Sequence, residues 1–219
     1  MILQSDGRHA ENDRTKVTQP ERGETYGQFG STFVDRLRIY LVGLTIKRYM
    51  PKRSELEVLD LGCGYYASYL RAMHSRLRSG TGIDYRVSEE VRQLPRLRFI
   101  EDSIESALPR LAEEQFDFVL FISVLEHVWD PLRCLRECHR VLKKGGLIMI
   151  NVPTWFAKPV LEVSAFRLGT SPLNEMEDHK MYYDKRTLWP LLVQAGFKPS
   201  RIKLRYRNLR MTLLGLAGK

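Results

Sequence analysis

The chain reads as a single doubly wound α/β domain. It has a seven-stranded, mostly parallel sheet that ends in an antiparallel hairpin, with helices on both faces. Three observations predict this. Short apolar runs near 58–61, 80–84, 97–101, 116–122 and 147–153 alternate with segments of helical apolar spacing. The first run ends in Gly62-Cys63-Gly64, where the backbone can turn sharply and approach a ligand without interference from a Cβ. Two further runs, 199–206 and 211–217, follow each other with no room for a helix between them.

Length and composition agree with one soluble domain. The 219 residues suffice for a sizeable core, and 43% hydrophobic with 28% charged residues is ordinary for a globular protein. Cys63, Cys134 and Cys138 make no disulfide framework and complete no zinc spacing, so they read as reduced thiols in a cytoplasmic protein. Met1-Ile2-Leu3 runs straight into polar residues without the apolar stretch of a signal peptide, and no apolar run is long enough to span a bilayer. Membrane contact is then at most peripheral.

The elements follow in order. Residues 1–24 are polar and mixed in charge, a disordered tail by composition. Residues 25–219 form the domain, beginning with a helical lid over 25–52. There Phe33, Leu37, Tyr40, Leu41, Leu44 and Tyr49 recur at helical spacing, and Pro51 stops the helix. Tyr26 either caps a ligand as an aromatic lid or packs beneath the helix. Val58, Leu59 and Leu61 make the first strand, and a helix from Tyr66 to about Ser79 follows the glycine turn. Strands are expected at 80–84, 97–101 and 116–122, the last apolar enough for burial on both faces. A helix from Pro131 to about Leu142 ends at Lys143-Lys144-Gly145-Gly146, and 147–153 is the fifth strand. Residues 154–184 read as an irregular cap around the acceptor. A last helix is capped by Thr187, holds Pro190 in its first turn and closes at Gly196.

Two cofactors compete for the glycine loop. Gly62-x-Gly64-x-x-Ala67 with Asp84 downstream satisfies a loose dinucleotide pattern. Asp60 tips the balance, because a carboxylate there repels a pyrophosphate and suits a ligand carrying an ammonium and a sulfonium. The run Leu59-Asp60-Leu61-Gly62-Cys63-Gly64 resembles the first motif of the class I S-adenosylmethionine-dependent methyltransferases. The passage from Ser123 to Pro131 resembles the fourth-motif region of the small-molecule enzymes among them. The resemblance covers about Arg53 to Lys219 and implies a Rossmann-like fold with S-adenosyl-L-methionine as cofactor. It implies cofactor contacts from Asp60, Gly62, Cys63, Gly64 and Tyr65, from Asp84 and Tyr85, and from Ser123. Asp84 would accept the ribose hydroxyls. Asp102 would meet the adenine amino group with Ser103 and Ile104 flanking the ring; capping of a helix by Asp102 or Ser103 is the competing role.

Methyl transfer from a sulfonium asks the protein to align the nucleophile, exclude water and take up a proton where needed. His127 is the first candidate base, at the carboxyl edge of the fourth strand, and a residue that only shapes the pocket is the alternative. Glu126 can orient a neighbour. His179 is the second candidate base. Quinone-type O-methyltransferases similar to this passage bind a divalent metal through two acids and a histidine. Here the first acid position is Ser123, so no metal is expected.

The acceptor is then a small or amphipathic molecule, methylated on oxygen or nitrogen, such as a lipid-linked sugar, a quinone precursor or a natural product. Ser123-Val124-Leu125-Glu126 stands where the enzymes of this class that act on nucleic-acid amines carry an Asn/Asp-Pro-Pro-aromatic run. The net charge of +9 keeps RNA open, because Arg201, Lys203, Arg205 and Arg207 alternate with Ile202, Leu204 and Tyr206. The same alternation suits an edge strand guarded by charge. A cofactor-binding protein that regulates a partner without catalysis is the remaining class.

Overall fold

The structure is a computed structural model that describes residues 33–158 and 180–219. The expected tail at 1–24, Tyr26, His179 and most of the 154–184 cap lie outside the described residues. The elements are α1 (Phe33–Tyr49), β1 (Leu56–Leu61), α2 (Ser68–Met73), β2 (Leu77–Asp84), α3 (Glu89–Arg92), β3 (Leu97–Glu101), α4 (Ile104–Ala107), β4 (Phe116–Ile122), α5 (Pro131–Val141), β5 (Leu142–Pro153), α6 (Lys185–Gln194), β6 (Ile202–Arg207) and β7 (Thr212–Gly218). The seven strands form one sheet in the order β3-β2-β1-β4-β5-β7-β6, and β7 runs antiparallel to both its neighbours. The doubly wound, mostly parallel sheet read from the sequence is therefore the fold, and the strand order reverses between β1 and β4.

Burial follows the pleat. All seven residues of β4 are buried, as an apolar run broken only by Asp117 requires. Val119 and Phe121 join a core with α5 and α6, while Phe118 and Leu120 face a second core with α1 and α2. Strand alternation thus splits one sheet into two packed layers.

Several boundaries differ from the sequence reading. The helix after the glycine loop is only Ser68–Met73, with a 3₁₀ turn at His74–Arg76. Residues from Leu77 are instead drawn into β2, where Leu77 pairs with Leu56. Helix α5 ends at Val141, and Lys143-Lys144-Gly145-Gly146 lies inside β5 rather than after the helix. The irregular register between Phe116 and Phe118 and the left-handed Gly145 (φ 78°) absorb the extra residues as a bulge. Asp184, not Thr187, is the N-cap of α6. Its carboxylate accepts from the N–H of Arg186 and Thr187, and the Thr187 hydroxyl accepts from the Asp184 N–H. Pro190 consequently lies inside the helix, beyond its first turn.

Helix α1 turns inward a face centred on Ile46 that shares Tyr49 with the expected stripe. Ile46 is buried with Val42 and Tyr49 packed beside it, whereas Leu37, Tyr40, Leu41 and Leu44 are exposed. Position 46 sits three and four residues from 49 and 42, which sets the inward face. In β6, Lys203, Arg205 and Arg207 point outward and Ile202, Leu204 and Tyr206 pack inward. Arg201 is not part of this row, because it lies in a 3₁₀ turn and donates to the Lys219 carbonyl.

A buried carboxylate ties the amino edge of the sheet together. Asp117 on β4 accepts from the Glu57 N–H at 2.8 Å and pairs with Lys143 at 3.0 Å and with Arg53. It is 3% exposed, so truncating it strands the Glu57 N–H and leaves Lys143 with Glu57 as its remaining carboxylate. Asp117→Ala should lower unfolding stability by about 2–3 kcal/mol. Arg53→Ala, which removes a largely exposed partner, should cost under about 1 kcal/mol. Urea denaturation of both variants reads the difference.

Candidate active site

The carboxyl ends of β1, β2 and β4 meet at the point where the strand order reverses, the place where open α/β sheets bind ligands. The loop after β1 is fixed by two bonds to one acceptor: the N–H groups of Gly62 and Cys63 both donate to the Ile83 carbonyl, at 2.8 and 3.2 Å. Gly62 is left-handed (φ 69°), and a Cβ there would stand 2.3 Å from Cγ2 of Val124 in the loop after β4. Gly64 is left-handed too (φ 75°), but a Cβ there would meet nothing within 4 Å. Crowding and conformation demand the first glycine; conformation alone demands the second, beside open space.

Asp60 and Asp84 face this loop. Asp60 is 1% exposed, and its Oδ2 has no hydrogen-bond partner. Burial, with Asp84 nearby, pushes its carboxyl up to about 8. Asp84 accepts the Gly64 N–H at 2.7 Å and the Tyr85 N–H at 2.8 Å, one on each oxygen. Burial still raises its pKa, against the lowering by those backbone N–H groups. A carboxylate has about four acceptor positions, so Asp84 retains capacity for a ribose hydroxyl. An orphaned buried carboxylate oxygen, a second acid with free lone pairs and an open glycine turn fit a ligand with cationic groups and a ribose. They do not fit a pyrophosphate.

The other residues singled out from the sequence take varied places. The Cys63 thiol is buried, and a Cβ on Gly82 would lie 2.7 Å from its sulfur. Burial raises its pKa well above the usual thiol value, which leaves it unreactive. Tyr65 is half-buried with its ring edge-on to Tyr66 at 5.0 Å, and Tyr85 is 55% exposed beside Asp84. Asp102 follows β3, its N–H donating to the Asp84 carbonyl. Its Oδ1 accepts the Ser103 N–H and its Oδ2 pairs with Arg110 at 2.5 Å. Ser103 caps α4 by accepting the Ser106 N–H. Ser103 therefore fills the capping role weighed above.

Ser123 ends β4 in a left-handed conformation (φ 55°), its N–H held by the Asn151 carbonyl at 2.7 Å. The chain then makes a 3₁₀ turn, Leu125–His127, that buries Glu126 and leaves His127 half-buried. One feature of this turn lies beyond local sequence signals. The Lys180 N–H donates to the Glu126 carbonyl at 2.9 Å and its ammonium to the His127 carbonyl at 2.7 Å. The Tyr183 hydroxyl donates to the Leu125 carbonyl at 3.3 Å. Residues 180–183 thus clip the turn that presents His127. Among the described residues no cluster of three or more His, Cys, Asp and Glu is placed to hold a metal.

The Asp60 carboxyl has a consequence for the free protein. With its folded pKa near 8 and its ordinary value at 3.8, the folded state holds the proton more tightly. This contribution is fully present below about pH 4 and is lost as pH rises through 8. The ligand-free unfolding midpoint should fall over that window for the native chain. Asp60→Asn, neutral throughout, should remove that part of the fall when the two pH profiles are compared.

Comparison with known proteins agrees with this geometry. A methyltransferase domain family model matches residues 59–150. A probable S-adenosylmethionine-dependent methyltransferase of Mycobacterium tuberculosis is 31% identical over 154 residues, 69% of this chain and 52% of the relative. A ubiquinone biosynthesis O-methyltransferase of Pseudomonas aeruginosa is 37% identical over 103 residues, 43% of each chain. The chain spans about half the length of the curated relatives it matches. Among solved structures, a SAM-dependent methyltransferase from Archaeoglobus fulgidus shares the fold, with a TM-score of 0.62 over 85% of this chain and 98% of that one at 18% identity. With the glycine loop, the two acids and the strand order all in place, residues 59–150 are a methyltransferase domain, and the chain is similar to the class I S-adenosylmethionine-dependent methyltransferases.

Proposed function

We propose that the protein transfers a methyl group from S-adenosylmethionine to a hydroxyl of a small or amphipathic acceptor. The observation that carries the reading is Asp60, a buried carboxylate with an orphaned oxygen, on the strand that runs into a crowded glycine and then an open one. The cofactor supplies a methyl group already activated by the positive sulfonium. Asp60 and Asp84 bind and orient it, Asp60 by charge and Asp84 by hydrogen bonds, while the loop around Gly64 leaves room for it. Transfer of that group to an acceptor oxygen would leave the sulfur neutral and would require a residue of this chain to take up the acceptor proton. The acceptor proton passes to the imidazole of His127, which the Leu125–His127 turn holds at the same sheet edge. The preference for a hydroxyl draws support from the ubiquinone biosynthesis O-methyltransferase among the relatives and from the exposed aromatic residues Trp155 and Phe156 after β5.

Calorimetry with each ligand tests the cofactor: S-adenosylhomocysteine should bind and NAD should not, and tighter NAD binding overturns the reading. S-adenosylmethionine affinity should rise with pH toward 8, because the cationic ligand favours ionised Asp60. Asp84→Ala should weaken cofactor binding by about 1.5–3 kcal/mol. His127→Ala should leave cofactor affinity nearly unchanged and lower turnover by roughly 10²–10⁴-fold. Transfer from labelled cofactor into a fractionated lysate identifies the acceptor. Label appearing in RNA rather than in small or lipid-soluble molecules refutes the proposed acceptor class.

A further inference from the structure

The rim around the active site carries exposed side chains that neither the cofactor loop nor His127 uses. Trp129 is 83% exposed, Trp155 54%, Phe156 63% and Leu209 90%. They come from three separate loops, yet contacts join them. The Thr154 N–H donates to the Met211 carbonyl at 3.0 Å and its hydroxyl to the Arg210 carbonyl at 2.6 Å. This fastens the tip of the β6–β7 hairpin beside Trp155 and Phe156. The Tyr182 ring lies 5.4 Å from that of Trp155, and two residues earlier the Lys180 ammonium stands 4.6 Å over Trp129. Pro153 pairs with Thr212, so the hairpin tip projects at the carboxyl end of β5, the edge on which the site opens.

Cations interleave with these groups. Lys158 lies over Trp155, Arg210 lies over Tyr206, and Arg205 and Arg207 point outward from β6. No carboxylate among the described residues pairs with Arg205 or Arg207. The nearby acids Asp130 and Asp184 accept N–H groups of the first turns of α5 and α6. At the tip, Asn208, Leu209 and Arg210 are all left-handed, at φ 49°, 52° and 71°. That conformation favours glycine or asparagine, yet a leucine occupies it with its side chain in water.

We infer that this rim docks on an anionic phospholipid bilayer, with Leu209 and Phe156 entering the acyl boundary and the two tryptophans at headgroup level. Tryptophan suits that boundary because its body is apolar and its N–H is polar. The arginines and lysines meet the negative surface potential. A nucleic acid would also attract the cations, but an isolated aliphatic side chain at a projecting tip offers a base no stacking face and offers a lipid chain direct burial. Contact of this kind is peripheral, since no described helix is long and apolar enough to cross a membrane. The inference concerns the rim alone and stands whether or not the acceptor carries a lipid.

Co-sedimentation of the full chain with vesicles tests it. The protein should partition onto phosphatidylglycerol–phosphatidylcholine vesicles, weakly onto pure phosphatidylcholine, and less as salt rises. Leu209→Asp should lower partitioning about tenfold while leaving the unfolding midpoint and S-adenosylhomocysteine affinity unchanged. Arg205→Ser with Arg207→Ser should weaken binding to the anionic vesicles only. Trp fluorescence should be quenched by brominated acyl chains. Equal partitioning onto both vesicle types, binding unaffected by Leu209→Asp, or binding to an RNA oligonucleotide with none to vesicles would each overturn the inference.

Discussion

The parallel pairing of β1 with β4 is the constraint on which the molecule depends. Val58 to Leu61 align with Phe118 to Phe121, and every later feature inherits that register. The pairing sets the reversal of strand order, which leaves a crevice where the two strands end. It buries both faces at once, because β4 is covered by one core on each side. It also fixes which ends of the strands carry charge. At the amino edge Asp117 is saturated by Lys143, Arg53 and a backbone N–H. At the carboxyl edge Asp60 is equally buried but left with an orphaned oxygen. Two buried carboxylates on adjacent strands therefore do opposite work: one is satisfied by the protein itself, the other is held ready for a ligand.

Readiness of this kind has a thermodynamic side. A buried acid without a full set of partners is less stable ionised than protonated, and the fold tolerates it because Val58, Cys63 and the core they belong to bury enough apolar surface on that face of the sheet. A cationic ligand reverses the balance by giving the charge a partner where water is absent. Affinity is then supplied partly by relief of a penalty already present in the free protein, which is preorganisation in electrostatic form.

What the chain reveals locally, it reveals well. β3 and β4 start and stop where the apolar runs do, and the glycine loop with its acids is legible because each residue there answers to its own backbone conformation or charge. The misread places are those where a distant partner decides. Leu77 belongs to a strand because Leu56 lies beside it, and Lys143-Lys144-Gly145-Gly146 imitates a helix stop although β4 pairs across it. Helix α1 shares Tyr49 between the expected stripe and the face it buries, and only the sheet beneath selects Ile46. The clip from Lys180 onto the Glu126–His127 turn joins residues more than fifty positions apart and leaves no periodicity to read. The acceptor side was less legible than the cofactor side for the same reason: its residues are gathered from loops, each with its own local logic.

The contact between Gly62 and Val124 has an evolutionary consequence. With only 2.3 Å available for a Cβ at position 62, the two loops interlock, one serving the cofactor and the other leading to His127. Neither can drift alone. A larger residue at 62 is excluded while Val124 stands, and a bulkier residue at 124 would push on the turn that shapes the cofactor pocket. Attempts to broaden acceptor choice by diversifying the loop after β4 therefore meet a hidden epistasis at position 124. Libraries that hold Val124 constant and vary its exposed neighbours would retain far more functional members than those that randomise the whole loop.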